Sequence, residues 1–443
     1  MKPSNKQPAS QARWPSSDRG IGPGRPELLR EVNARRVLRL LRLHGPCSRA
    51  DLVRYSELSA PTVSGSIAYL EKKGLVELIG PGPSNGGRPP SLLRFNSKLG
   101  YVVGADIGTS VVRVALADLN GTVLEEWVAP NHSHNTPERV AALIKSGIAK
   151  LQSHQKISSK RILGLAAGVP GITDTRAGIV LSAPILSADW QAVPLRDTLQ
   201  AKTGIPAIVE NDVNLAALGE SWRGIARGVK NFVFLTIGSG VGAGIFVNGR
   251  LYHGSEWAAG EIGYLYVPGT EETPLAIRRP GSLESIIGAG AIRQSWQNLC
   301  NGRKKLNSGF SRDLSVAEIL DLAEKGEVHA AQILQRTARI LADAITDVCV
   351  ILNSSLIVFG GRVGSHSALF NATSRILERN EFCRPRLALS AVGSEAPLIG
   401  SIWLALKTVE ARILTSGANT SRSAVPMDSD GLLESFLALP GPD

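Results

Sequence analysis

Five apolar runs between residues 101 and 364 each end in a glycine-rich or acidic turn: YVVGADIGTS, ILGLAAGVPG, IPAIVENDVN, VFLTIGSGVGAG and LIVFGGRVG. Short runs rich in Val and Ile, bounded by turn residues, are buried strands. Glycine at their ends lets a second backbone or a phosphate group come close. Helical segments with one apolar face lie between them, PERVAALIKSGIAKLQSH being the clearest. Such alternation is an α/β architecture. The first run is followed by two more strands, with Asn120-Gly121 as a hairpin turn. A strand-and-hairpin sheet followed by helices occurs twice, which predicts two similar lobes around a cleft.

Three of these loops are candidates for nucleotide phosphates. Asp106 closes the first strand and is followed by Gly108 and Ser110, an arrangement that binds Mg²⁺ and a phosphate through backbone N–H groups. Gly238, Gly240 and Gly242 alternate in the second loop, and Gly360-Gly361 close the third strand. Glu210, Asn211 and Asp212 stand at a strand's carboxyl end, where ligands gather in α/β sheets. Asp212 is placed to act as base toward a substrate hydroxyl. Glu261 and Glu284 lie in Gly-rich surroundings suited to a polar ligand. A turn cap accounts for Asp106 alone and a solvated loop for Glu261 alone; their joint order favours one pocket. The stretch VHAAQILQRTARILADAITDVCVILN is apolar around much of its circumference, so it is a buried or interface helix.

The other end of the chain has a different character. Residues 1–98 hold 17 Lys and Arg against 7 Asp and Glu, so nearly all of the formal net charge of +11 lies there. A basic module beside a nearly neutral body suits a polyanion partner, because Lys and Arg displace counterions from phosphates. Residues 1–26, rich in Pro, Gly and Ser, read as a flexible basic tail, and 415–443 as a second flexible tail. Between the first tail and residue 97 three helices are expected. In the first, Val37, Leu38 and Leu41 share a face and Gly45-Pro46 ends it. Ser48 and Asp51 have capping-box spacing for the second, and Ser59 caps the third, with Pro61 in its first turn. On the third helix Val63, Ile67 and Leu70 face inward, leaving Thr62, Ser64, Gly65, Tyr69 and Lys72 for a DNA major groove. LVELIG is a wing strand, and Arg88, set among Gly and Pro, suits an A·T-rich minor groove. The competing reading of this module is a protein-docking helical bundle with a solvated Arg face.

Apolar content of 43% with 20% charged residues excludes a disordered chain. No apolar run reaches membrane-spanning length, and the first 20 residues lack the apolar core of a signal peptide. Cys47, Cys300, Cys349 and Cys383 are far apart, with neither CxxC spacing nor a disulfide framework, which fits a reduced cytoplasm.

Taken together, SRADLVRYSELSAPTVSGSIAYLEKKGLV, GGRPP, ADIGTS, AGVPGITD, ENDVNLAALGE, GSGVGAGI, AAGEIGY and VFGGRVG resemble the ROK family of repressors and sugar kinases over residues 31–412. The likeness is to its transcription-regulator branch. It implies an N-terminal winged helix-turn-helix over 27–97, and over 98–414 a duplicated, actin-like, ribonuclease H-like ATPase fold that binds sugar between its lobes. It also implies dimers or tetramers and an operator with two-fold repeats. On the family's pattern Asn211 and Asp212 match the sugar-contacting pair, Asp212 at the base position, and Glu261 and Glu284 match the sugar-binding glutamates. Asp106, Gly108 and Ser110 match the first phosphate loop, and Gly238, Gly240 and Gly242 the second.

Three departures stand out. Tyr264 occupies the place of a His that touches sugar and ligates zinc, and the family's CxCGxxGC is TEETPLAIRRPGSLES here, with Ser282 at the last Cys position. The implied zinc site is therefore lost, and no metal is expected. Thr109-Ser110-Val111 replaces a Gly-Thr-Lys ending, which removes a cation from the first phosphate loop. APIL replaces APNL, so Ile185 removes a polar group on the sugar side. The expected function is a sugar-responsive, DNA-binding regulator, a repressor of carbohydrate uptake or catabolism genes. Its expected partners are double-stranded operator DNA, a sugar or sugar-phosphate effector and a second copy of the chain, with no membrane and no required cofactor. The alternative is an active sugar kinase, using Mg-ATP, that carries a DNA-binding module.

Overall fold

The computed structural model describes residues 26–83, 89–132, 135–270, 281–301, 313–382 and 384–415. The two expected tails fall almost wholly outside these residues, and so does Arg88. The described chain forms two compact units that divide between Phe95 and Asn96.

The first unit holds helices α1 (Pro26–His44), α2 (Arg49–Ser56) and α3 (Ala60–Lys72) and strands β1 (Cys47–Ser48), β2 (Val76–Pro81) and β3 (Ser91–Phe95). The strands pair antiparallel in the order β1-β3-β2, with β2 and β3 forming the wing. Gly45 adopts a positive φ of 70° and ends α1. The capping box opens α2 as expected: the Ser48 hydroxyl accepts the Asp51 N–H at 3.2 Å, and the Asp51 carboxylate accepts the Ser48 N–H at 3.0 Å. Ser59 caps α3. Val37, Leu38 and Leu41 of α1 and Val63, Ile67 and Leu70 of α3 are buried together with Leu52 and Leu93.

The second unit begins with an antiparallel trio, β4 (Tyr101–Ile107), β5 (Val111–Asp118) and β6 (Val123–Pro130), then α4 (Pro137–His154) and β7 (Ile162–Val169). A small sheet follows, β8 (Ile172–Asp174), β9 (Ile179–Ser182) and β10 (Gln191–Val193), then α5 (Leu195–Thr203), β11 (Ala207–Asn211) and α6 (Asp212–Arg223). The second half repeats the plan. It has β12 (Phe232–Ile237), β13 (Val241–Val247) and β14 (Arg250–Leu251), helices α7 (Glu284–Ile287), α8 (Ala289–Asn301), α9 (Val316–Glu324) and α10 (Val328–Leu352), then β15 (Leu356–Gly360), α11 (Ser367–Leu377), β16 (Arg386–Leu389) and α12 (Ala396–Thr415). The large sheets run β6-β5-β4-β7-β11 and β14-β13-β12-β15-β16. Each is an antiparallel trio extended on one side by two parallel strands. The shared order is the signature of duplication, and each sheet has its own apolar core.

Helix α6 joins the halves. It packs on β7 and β11 of one sheet, on β12 and β13 of the other, and against α12. Close approach here depends on glycine. A side chain on Gly244 of β13 would begin 2.8 Å from the Val213 carbonyl oxygen of α6, and one on Gly400 of α12 1.8 Å from the Leu215 carbonyl oxygen. In both cases the obstacle is backbone, which has nowhere to go. Gly400→Ala is therefore expected to push α12 off α6 and cost about 1–3 kcal/mol, read as a lower urea midpoint. An unchanged midpoint would contradict that packing.

Candidate functional site

On α3 the exposed positions are Ala60, Pro61, Ser64, Gly65, Ala68, Glu71 and Lys72. Of the residues expected to read DNA, Ser64, Gly65 and Lys72 therefore lie on the open face, and nothing crowds Gly65. Thr62 and Tyr69 are half-buried. The Thr62 hydroxyl lies 2.8 Å from that of the capping Ser59. Tyr69 feels the charges of Glu31, Arg30 and Arg35 of α1, and burial raises its phenol. Pro61 and Ala68 escaped the sequence reading because neither is polar. On a face that meets thymine methyl groups, small apolar residues are as suitable as hydroxyls.

In the second unit β11 runs directly into α6, with no turn between strand and helix. Asn211 caps the helix: its side-chain oxygen accepts the Asn214 N–H at 2.9 Å, and its amide donates to the Gly171 carbonyl at 2.9 Å. The amide is thereby oriented, with one lone pair and one N–H left over. The next residue, Asp212, accepts the Val213 N–H at 2.9 Å. Glu261 opens a short 3₁₀ turn, Ile262–Tyr264, and Glu284 opens α7. Glu284 accepts the Val241 N–H at 3.0 Å and lies 3.4 Å from where a side chain on Gly240 would begin. Ile185 reaches within 3.7 Å of the same point, so an apolar group faces Glu284 across the glycine.

These carboxylates are near neighbours, because each feels another's charge. Burial first, then the Asp212 charge, pushes Asp106 up to about 7, against the pull of Arg113. Burial pushes Asp212 up to about 6, helped by Glu261. Glu261 is pushed up to about 7 by burial and by Glu284, and burial raises Glu284 as well. Burial and both glutamates raise the Tyr264 phenol, which therefore stays a hydrogen-bond donor. Asn211 and Asp212, Glu261 and Tyr264, and Glu284, from three separate stretches of the chain, thus lie near one another. The arrangement can hold a molecule with several hydroxyls, each donating to a carboxylate.

Beneath the cleft lies a pair that sequence reasoning did not assign. Glu210 is fully buried. Its carboxylate takes the Thr175 hydroxyl at 3.0 Å, the Asn211 N–H at 2.8 Å, the Asn214 amide at 3.0 Å and His253 Nε2 at 2.8 Å. Despite the desolvation of both groups, the contact lowers the Glu210 carboxyl and raises the His253 imidazole, so each favours the charged form of the other. Four bonds on one carboxylate hold β11, α6 and the loop that precedes Glu261 in one geometry. Trp257 packs edge-on against His253 at 5.0 Å and sits at a positive φ of 62°, rare for a large side chain. The signal available in the sequence was Glu210's place beside Asn211; nothing there linked it to His253.

The phosphate loops are less open than their glycines suggest. The Gly108 N–H donates to the Val111 carbonyl at 2.9 Å and the Gly238 N–H to the Gly240 carbonyl at 2.9 Å. Ser110 is exposed. Gly242 lies within β13 beside Val213, Gly360 is backed by the Phe234 ring, and Gly361 holds a φ of 77° over the Ile237 carbonyl. A cation does stand near the first loop, since Arg113 faces Asp106 across β4 and β5. It is already held by Glu126 at 2.7 Å, by the Ser394 carbonyl at 3.0 Å and by Glu395.

Where the resemblance places a zinc ligand, Ser282 accepts the Val267 N–H at 2.9 Å and lies 2.7 Å from the Thr270 hydroxyl, which donates to the Val267 carbonyl at 2.7 Å. A closed ring of hydroxyl hydrogen bonds lacks the thiolate and imidazole donors that zinc prefers, so these residues do not fit the metal. Residues 271–280 between them lie outside the described residues. Among the described residues no helix is long and apolar enough to cross a membrane.

A winged helix on a duplicated two-lobed fold, with an acidic cleft at the helix α6 junction, defines a class of ligand-binding regulators and sugar kinases. The chain belongs to the ROK family, whose model matches residues 102–408; a MarR family model matches residues 31–84. It is 28% identical to a xylose repressor of Caldicellulosiruptor bescii over 391 residues, 86% of this chain and 97% of that protein. It is 29% identical to a glucokinase of Halalkalibacterium halodurans over 315 residues, 69% of this chain and 94% of that protein. A solved ROK family transcriptional regulator, described as a homologue of the Escherichia coli MLC protein, superposes with a TM-score of 0.72 at 24% identity, over 87% of this chain and 98% of that one. At that identity the likeness shows the fold.

Proposed function

We propose that this protein is a sugar-responsive transcriptional regulator that represses carbohydrate uptake or catabolism genes. One observation carries the reading: Asn211, Asp212, Glu261 and Glu284 converge on one hydroxyl-accepting cleft in a chain that also bears a winged helix. Similarity to the xylose repressor along nearly its whole length supports it. The effector is a sugar or sugar phosphate, bound without a required cofactor. Two copies of the chain present recognition helices to operator half-sites roughly 34 Å apart. A sugar held between two lobes has a higher affinity for one lobe arrangement than for another. Operator affinity changes by that difference, about 1–3 kcal/mol. The test is to recover the operator by selection from genomic DNA and titrate a sugar panel into the complex. If no sugar or sugar phosphate changes operator binding, the sensing half of the reading fails.

The face of α3 separates two kinds of contact. Lys72→Ala is expected to weaken binding evenly across operator variants and lower the salt slope by about one. Ser64→Val instead changes the preferred base at one position. Competition binding with randomised operators measures both, and an even loss for Ser64→Val would place that residue on the phosphates.

One observation favours a kinase as the second reading. Asp212 is buried at the head of α6 with its carboxyl near neutrality, as a base toward a sugar hydroxyl requires. The engaged N–H groups of Gly108 and Gly238 weigh against it, since a phosphate cradle needs them free. Sugar-dependent ADP release with Mg-ATP, abolished by Asp212→Asn, would reverse the order of the two readings.

A further inference from the structure

A cavity of about 390 Å³ opens on the outer side of α7, among α7, α8 and α10, and none of the cleft carboxylates lines it. Its size falls within the range of small-molecule sites. Ile286 and Ile333 supply apolar surface, and Asn298, Gln332, Arg336 and Thr337 supply polar groups. Among the described residues that line it, none is acidic. The Arg336 guanidinium is exposed and has no carboxylate partner among the described residues, whereas Arg339, three residues further along α10, lies 3.8 Å from Asp343. Among the described residues the site offers a guanidinium without a carboxylate partner, two amides, the hydroxyls of Ser285, Ser295 and Thr337 and an aliphatic floor, which is complementary to a small organic anion that carries hydroxyl groups.

We infer that this cavity is a second ligand site, for a small hydroxylated carboxylate or phosphate monoester whose anionic group lies on Arg336. The site is wired to the cleft by covalent structure. Ser285 and Ile286, at its edge, directly follow Glu284, whose carboxylate holds Val241. An anion bound here acts on the position of Glu284 without entering the acidic cleft. The site itself does not depend on the sugar-sensing reading, so the two can fail separately.

The test uses the full-length protein with sn-glycerol 3-phosphate, gluconate and inorganic phosphate as probes, followed by calorimetric titration and thermal shift. At least one organic anion is expected to bind, with affinity about tenfold or more weaker in Arg336→Gln and unchanged in Glu261→Gln. Thr337→Val provides a second, conservative variant on the same wall and is expected to weaken binding as well. Binding that survives Arg336→Gln, or that is lost in Glu261→Gln, overturns the assignment, as does the absence of binding by all three probes. Binding of inorganic phosphate equal to that of the organic anions also overturns it, because the amide and hydroxyl wall would then recognise nothing.

Discussion

Asp212→Asn is expected to make the ligand-free protein more stable while removing its response to sugar. Asp212 is ionised at pH 8 although burial has pushed its carboxyl up to about 6, above the ordinary aspartate range. A folded-state value above the unfolded one means that the native state binds the proton more tightly. Stability therefore falls as pH rises from about 4 toward 7, and the charge costs about 2–3 kcal/mol above that range. The amide carries no such cost and relieves Glu261 and Asp106, which face the same charge. A melting point several degrees higher at pH 8, with the gain shrinking toward pH 5, is the expected result. Loss of an ionised acceptor for sugar hydroxyls costs about 1.5–3 kcal/mol of binding, roughly 10- to 150-fold in affinity. A variant that melts lower at pH 8, or that binds sugar like the parent protein, would show that Asp212 is a structural group.

His253→Ala is expected to have the largest destabilising effect of any single change near the cleft. It leaves Glu210 fully buried with its charge uncompensated, which costs about 3–5 kcal/mol. The partner change distinguishes this from lost packing. Glu210→Gln in the His253→Ala background removes the orphaned charge and should recover much of the loss, so the two changes together are milder than the histidine change alone. Additive losses would contradict the ion pair. The pair also sets a pH window. Because the His253 imidazole is raised, its contribution is present below 6.5 and fades as pH climbs through the higher folded-state value. Because the Glu210 carboxyl is lowered, its contribution is present above the usual glutamate range and is lost only in acid. With the acidic cleft acting in the same direction, the ligand-free protein should lose stability between pH 6 and 8, which unfolding curves across that range would reveal.

Local signals carried the winged helix. Ser48 with Asp51, Ser59, Gly45 and the spacing of Val63, Ile67 and Leu70 act within a few residues, and each acts as its neighbours dictate. The same holds for the hairpin at Gly121, with φ of 82°. Tyr69 could not be read this way. Its helical position left it on the outer side, but in the fold it is half-buried and within reach of the charges of α1, a segment about 30 residues earlier in the chain. The glycines of the second lobe were legible as glycines but not as to purpose. In the sequence Gly242 and Gly360 resemble phosphate loops, whereas in the fold Gly242 lies inside strand β13 and the Phe234 ring occupies the space that a side chain on Gly360 would need.

The amino-acid order alone determined which segments become strands and helices, that the sheet plan occurs twice, and that the basic charge sits at one end, because these follow from periodicity, capping and composition along a continuous stretch. Only the tertiary structure decided that Glu210 and His253 form a buried ion pair, that Arg113 is already taken by Glu126 and Glu395, and that Arg336 faces a cavity lined by no carboxylate among the described residues. Those outcomes depend on which distant groups share a low-dielectric space and which of them are desolvated. Neither property exists until the two sheets have closed on α6.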